Sequence, residues 1–338
     1  YTLDKLYFRK ESVKDIDNPK LVREVSKKFE TVLEINSNYK GELYIYGPHS
    51  KISSIWGGLA TFYASHGDLD SARWAFRQGK KRGGFYPALM EYNNNVLKSC
   101  KKNAIIFTNG DNDTFPIWFQ QLIENFRTDI NIVNLSLLNA HWYIKKLKNK
   151  PLFSDNKINV GLSERQIENR LHVQKWKNRT VRASTPDSLP PMEWKMSPTI
   201  QDRGIRVQDL MIWQIINKNN WQRPIYFAVT IDSNNYIGLK KADYLQMEGL
   251  VYKLRPYKND KLDEEKIKEK IVETYTYKNI TNPNTYHNKD IQKLVNNYRF
   301  SFIRLSLNNM RHHKYEEVIN LLSFMEEKIP EKYIPIRN

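Results

Sequence analysis

Two short apolar runs, each closed by turn residues and followed by a helix-period stripe, restrict this chain more than any other feature. The first is NAIIFTN at 103–109 and the second is DINIVNLSLL at 129–138. Continuous apolar runs of that length, bounded by turn formers, read as strands buried on both faces. Behind the first, Phe115, Trp118, Phe119, Leu122, Ile123 and Phe126 recur at i, i+3, i+4, i+7, i+8 and i+11, a full apolar helix face. Behind the second, AHWYIKKLKN (140–149) has a helical pattern. Further on, VQDLMIWQIINKNN (207–220) predicts a helix and RPIYFAVT (223–230) a third strand. Strands alternating with helices predict a parallel layer. The expected fold class is therefore α/β with a small parallel-sheet core.

Helical hairpins are expected on either side of that core. In WGGLATFYASHGDLDSARWAFRQG (56–79), Trp56, Leu59, Ala60, Tyr63, Ala72 and Phe76 match the tetratricopeptide pattern in register. Gly67 can end one helix in the left-handed region, and Asp68 or Asp70 can cap the next. The same offsets recur at Phe302, Leu305, Ser306, Val318, Leu322, Met325 and Pro330, with RHHKY as the turn. Two isolated hairpins do not make a solenoid, and ordinary amphipathic helix pairs would show much the same pattern. The expected organisation is an N-terminal helical region at 1–84, an α/β core at 85–256 and a C-terminal helical region at 257–338. Residues 150–206 are poorly patterned. STPDSLPPMEWKMSPT holds four prolines and is expected to be irregular. In GLKKADYLQMEGLVYKLRP (238–256), Tyr244, Met247, Leu250 and Val251 form one apolar face, read as core packing. YKNDKLDEEKIKEKIVETYTYKN (257–279) should hold a charged, exposed helix.

Composition narrows the function classes. The 338 residues are 40% hydrophobic and 12% aromatic, enough for a sizeable core. Lys and Arg number 54 against 37 acids, a net charge of +17 that favours an acidic partner. The basic residues are dispersed and no nucleic-acid module is present, so a solvated basic surface is the plainer reading and nucleic acid is not the expected partner. The one cysteine, Cys100, excludes an internal disulfide or a Cys-based zinc site and reads as a packed residue. No run approaches the roughly 20 apolar residues that cross a bilayer, so the stretch given reads as soluble. It opens on YTLDKLYFRK, without an initiator Met or signal peptide, which fits a processed or excised piece. Phosphate-cradling loops and serine-hydrolase elbows are absent.

In open parallel sheets, ligands bind beyond the C-terminal strand ends. The three ends carry a dense polar set: Asn109, Asp111, Asn112, Asp113, Ser136, Asn139, His141, Asp232, Asn234, Asn235 and Tyr236. If the strands are neighbours, these residues converge on one crevice. TNGDNDTFP (108–116) stands out among them. Asp111 and Asp113 form an Asp-x-Asp pair, a donor set suited to a divalent cation such as Mg²⁺, Mn²⁺ or Ca²⁺. The competing reading makes Asp113 or Thr114 a helix N-cap, Pro116 a first-turn residue and Gly110 a source of turn freedom. That reading leaves Asn109, Asp111 and Asn112 for a ligand. His141, a lone histidine, reads as structural.

AIIFTNGDNDTFPIWFQQ, RTDINIVNLSLLNAHWYIKKLK, NNWQRPIYFAVT, NYIGL and DYLQMEGLVYKLRP occur in order over roughly residues 85–330. Together these blocks resemble the soluble C-terminal region of the domain-of-unknown-function family 2723. Its members are multi-spanning membrane proteins similar to GT-C glycosyltransferases and related to protein O-mannosyltransferases. The resemblance implies an extracytoplasmic, periplasmic and membrane-associated setting, with the membrane link made through a missing segment or a partner. It implies a role in recognising acceptor protein or glycan. In GT-C enzymes the catalytic acid lies in the membrane part, which this stretch lacks, so no catalytic residue is assigned. Two other readings stay open: an interaction subunit using the helical hairpins, and a metal-assisted enzyme using Asp111 and Asp113.

Overall fold

The computed structural model describes residues 18–37, 39, 47–186, 189–282, 284–285 and 287–336. The opening of the expected N-terminal region, residues 1–17, lies outside them, as do 187–188 within the proline-rich stretch.

Helix α1 (Pro19–Ile35) starts where the Asn18 side chain accepts from the backbone N–H groups of Lys20 and Leu21. Helices α2 (Pro48–Ser65) and α3 (Leu69–Lys81) make the expected N-terminal hairpin. Gly67 takes φ +87° in the turn, a region closed to most side chains, and Asp68 caps α3 by accepting from Ser71 N–H. Trp56, Leu59, Ala60, Ala72 and Phe76 are fully buried between the two helices. The Trp56 indole donates to Ser26 Oγ at 3.0 Å and ties α1 to the pair.

After α4 (Pro87–Ser99) comes the core: β1 (Ile105–Thr108), α5 (Phe115–Glu124), β2 (Asn131–Asn134) and α6 (His141–Asn149). Then follow the short α7 (Glu164–Arg170), β3 (Gln174–Lys175), β4 (Arg179–Ala183), β5 (Met192–Met196) and β6 (Gly204–Ile205). Helix α8 (Val207–Asn219) leads into β7 (Ile225–Ala228). The hairpin β8 (Leu245–Glu248) and β9 (Val251–Leu254) completes the sheet, whose order is β2-β1-β7-β9-β8. The three predicted strands are adjacent and parallel, with Phe107 of β1 facing Val133 of β2 and Phe227 of β7. Every residue of these strands is buried, which explains their unbroken apolar character. Because β9 runs antiparallel to β7, the whole sheet is mixed, with helices on both sides. Tyr244, Met247, Leu250 and Val251 are core residues as expected.

Within the poorly patterned 150–206 segment, which also holds α7 and β3 to β6, the expectation of an irregular STPDSLPPMEWKMSPT stretch fails in one respect. MEWKM forms β5, paired antiparallel with β4, and Met192, Trp194 and Met196 point inward while Glu193 and Lys195 point out. Pro186, Pro190, Pro191 and Pro198 all lie outside the strands, where the missing N–H costs no ladder bond. Indole N–H groups fasten this insertion to the core. Trp194 donates to Ile237 O, Trp213 to Arg182 O and Trp221 to Ser184 O, while Trp176 donates to Met196 O within the insertion itself, all at 2.7–3.0 Å.

The charged 257–279 stretch forms α9 (Glu264–Lys268), continued by a wider π-type turn at Glu269–Thr274. Ile267 and Ile271 anchor it in the core. After the single turn α10 (Lys278–Thr281), α11 (Lys289–Arg311) and α12 (Tyr315–Lys328) form the C-terminal hairpin. Phe302, Leu305 and Val318 are buried, whereas Leu322 of the repeat pattern is 39% exposed. Helix α11 is bound to α4 by a buried polar seam: Asn95 Nδ2 donates to Tyr298 Oη at 2.8 Å and Asn297 Nδ2 to Tyr92 Oη at 3.0 Å.

Candidate functional site

The loops after β1, β2 and β7 do converge. Three adjoining cavities follow the C-terminal strand ends. The first, about 690 Å³, lies between α2, the 109–113 loop and α11. The second, about 470 Å³, shares Asn109 and Ser136 with it. The third, about 860 Å³, shares Arg206 and Asn235 with the second and extends to Asp232, Tyr236 and Lys240. Of the nominated residues, Asn109, Asp111, Asn112, Asp113, Asn139, Asp232, Asn235 and Tyr236 line this run of cavities. His141 does not; its Nε2 lies 2.6 Å from Leu171 O, holding α6 to the segment after α7.

The Asp113 carboxylate is buried and turned into the loop. It accepts from the backbone N–H of Asn109 at 2.9 Å and of Gly110 at 2.7 Å, and from the Thr230 hydroxyl beyond β7. Burial raises its pKa, and the same hydrogen bonds pull in the opposite direction. Neither Asp113 nor Thr114 caps α5 with its side chain. A 3₁₀ turn at Asp111–Asp113 aims the Asp113 side chain back at the loop's own start. Thr114 Oγ1 instead meets Thr108 Oγ1 at 2.8 Å and accepts from Asn134 Nδ2 at 2.9 Å, joining the ends of β1 and β2. Pro116 sits in the first turn of α5 as expected. Gly110 has φ −148°, and a Cβ there would meet nothing within 4 Å, so the turn does not require glycine.

Of the expected Asp111–Asp113 pair, Asp113 is turned into its own loop while Asp111 lines the first cavity. Asp113 spends its oxygens on three donors, and among the described residues no group of three or more His, Cys, Asp or Glu side chains could hold a metal ion.

The other nominated residues divide into fasteners and cavity walls. Asn139 exchanges two hydrogen bonds with Gln208, its Nδ2 donating to Gln208 Oε1 at 2.9 Å and its Oδ1 accepting from Gln208 N–H at 3.1 Å. Asp232 caps the 3₁₀ turn Ser233–Tyr236 by accepting from Asn234 N–H at 2.9 Å. Tyr236 is a core residue, 2% exposed, with its ring edge-on to Phe227 and Tyr252. Asn235 Oδ1 accepts from Arg206 Nη2 at 2.7 Å.

Arg206 escaped the sequence reading. Its guanidinium forms a forked pair with the fully buried Asp209, at 2.9 and 3.0 Å, and Thr199 Oγ1 donates to the same carboxylate at 2.6 Å. An Arg and an Asp three apart at a helix start were the available signal. The walls contributed by α2 and α11 had none, since they lie far away in sequence. There, Ser50, Lys51 and Ser54 face Asp290, Lys293 and Asn297 across the first cavity.

Two residues lining this cavity carry a buried acceptor without a hydrogen-bond donor. Asp290 is 7% exposed, and its Oδ2 is buried with no partner among the described residues. Asn112 gives its carbonyl to Asn93 Nδ2 at 2.9 Å, but its side-chain Oδ1 is likewise buried and unpartnered. Buried acceptors are ordinarily satisfied, and leaving one unpaired costs about 1–3 kcal/mol.

A family profile described as TMEM260-associated domain 2 matches residues 89–183 and 168–274, together more than half of the chain. No curated protein and no solved structure matches it.

Proposed function

The chain belongs to the family of TMEM260-associated domain 2, and on that premise we propose that it is a recognition domain of a protein glycosylation system, binding protein or glycan at the strand ends. TMEM260 is a protein O-mannosyltransferase-like membrane protein, and the resemblance to family 2723 and to GT-C enzymes points the same way. Both favour an extracytoplasmic, membrane-associated setting, periplasmic in a bacterial cell. No helix among the described residues is long and apolar enough to cross a membrane. The tether in this reading is therefore another segment or a partner protein.

The observation that carries the reading is the cavity of about 690 Å³ at the strand ends, whose lining residues Asn112 and Asp290 each hold a buried acceptor, Oδ1 and Oδ2, that no donor meets. Lys51 and Lys293 share that cavity with Asp111 and Asp290. Mixed signs disfavour a simple cation or anion. They suit a neutral ligand with many donors and acceptors, such as sugar hydroxyls or a peptide backbone with Ser and Thr side chains. The test is binding to immobilised neutral glycans and to Ser/Thr-rich peptides, with the parent beside Asp290→Ala and Asn112→Ala. The parent should bind one of these ligand classes and both variants should lose it while keeping the parent's thermal transition. A folded parent that binds neither class, or variants that bind as the parent does, would remove the proposal.

A further inference from the structure

The C-terminal hairpin carries a feature that the strand-end crevice does not use. Among the described residues, seven of the thirteen large apolar side chains that stand exposed lie between 300 and 322. On α11 they are Phe300, Ile303, Leu307 and Met310, 44–51% exposed. Their spacing of three, four and three puts them on one face, opposite the face on which Tyr298, Phe302 and Leu305 enter the core. On α12 they are Tyr315, Ile319 and Leu322, spaced four and three, at 56, 64 and 39% exposure. An apolar concentration of this kind on a folded surface marks an interaction site.

The charges beside it select the occupant. Helix α11 has five basic residues and a single acid, Asp290 in its first turn. Helix α12 has four glutamates and a single base, Lys328. Arg304 and Arg311 fall on the α11 apolar face, and Glu316 and Glu326 border that of α12. Arg304, Arg311 and Glu316 have no ion-pair partner among the described residues.

One half of the hairpin surface is thus basic and the other acidic, each with its own apolar stripe. A surface of that kind complements itself. We propose that this face joins two copies of the chain about a two-fold axis, with α11 of each copy along α12 of the other. Apolar stripe then covers apolar stripe, and Arg304 and Arg311 of one copy approach Glu316 and Glu326 of the second, the pairing an isologous interface requires. An anionic lipid surface would meet the α12 glutamates with the wrong sign, and a uniformly charged partner would fit only one of the two helices.

Sedimentation analysis of the full chain over a concentration series tests this, with near-UV circular dichroism as the control for folding. The parent should reach twice the chain mass, and Leu307→Glu and Ile319→Glu, both at exposed positions, should stay monomeric. Arg304→Glu with Arg311→Glu should raise the dimer dissociation constant by roughly tenfold or more, in line with close charge pairs across an interface. Adding Glu316→Arg and Glu326→Arg to that variant should restore the dimer. A parent that remains monomeric at every concentration overturns the proposal, including one that instead binds phosphatidylserine vesicles. A dimer that survives both glutamate substitutions, or a fourfold charge exchange that does not restore it, overturns it equally.

Discussion

Gly57 lies in mid-helix in α2, directly against Phe115, the first residue of α5. A methyl group built on Gly57 would come within 2.5 Å of Phe115 Cγ, 2.6 Å of Cδ2 and 2.8 Å of Cβ. Non-bonded carbons rest about 3.5–4.0 Å apart, so Gly57→Ala creates roughly 1 Å of overlap with three atoms at once. Phe115 is 2% exposed and packs against Trp118 at 5.8 Å between ring centres, so its ring has little space to retreat. Two effects oppose each other. Alanine in a helix interior gains about 0.5–1 kcal/mol over glycine. Overpacking costs about 1–3 kcal/mol, and a rigid ring clashing through its own Cβ belongs at the upper end. The clash wins, and Gly57→Ala should destabilise the chain by about 2 kcal/mol. Urea unfolding should show a lower midpoint with an unchanged slope. Gly57→Ala combined with Phe115→Leu should lose less than the two single changes added together, because the smaller side chain relieves the overlap. If Gly57→Ala is as stable as the parent or more so, the helix-propensity gain has won and the close approach of α2 to the site loop is refuted.

Asp113→Ala leaves two backbone N–H groups and the Thr230 hydroxyl without their acceptor in a half-buried loop and should cost about 1–2 kcal/mol, measured by the same urea midpoint. Burial lowers the pKa of His49 and of His287, so the folded chain holds fewer protons than the unfolded one just below pH 6.5. Their neutral forms give full stability above 6.5, and it falls as the pH drops through that value. A melting temperature that does not decline from pH 7 toward 6, or a decline that persists unchanged when both are replaced by Gln, would contradict this. Burial pushes the Cys100 thiol up to about 12, so a maleimide should label the chain only after unfolding, read by intact mass.

The parallel strands were legible because both of their faces are buried, and NAIIFTN therefore needs no alternation to declare itself. The N-terminal hairpin was legible because Trp56, Leu59, Ala60, Ala72 and Phe76 fill one interface at fixed offsets. Strand β5 was hidden by its neighbours, since three inward residues are a short signal between two prolines and a third. The crevice was legible as a place, because strand ends set it, but the roles within it were not. Asn139, Asp232 and Asn235 read as ligand groups; they line the cavities, and each is also engaged within the fold, Asn139 with Gln208, Asp232 in its own turn and Asn235 with Arg206. Asp290 could not be found from the site loop at all, because only the folded chain brings α11 over the end of β1.

That last wall has a consequence for how the protein assembles. Residues 50–54, 109–113, 229–230 and 290–297 surround the first cavity, so no contiguous stretch of the chain contains it. The cavity exists only after α11 has closed over the sheet, and those contacts span some of the longest loops the chain must order. A ligand seated there would work as a removable staple between α2, the strand-end loops and α11. By mass action it would raise the stability of the closed form in proportion to the logarithm of its concentration. Protection of α11 amides from hydrogen exchange would then report on ligand occupancy, even though most of that helix lies away from the cavity.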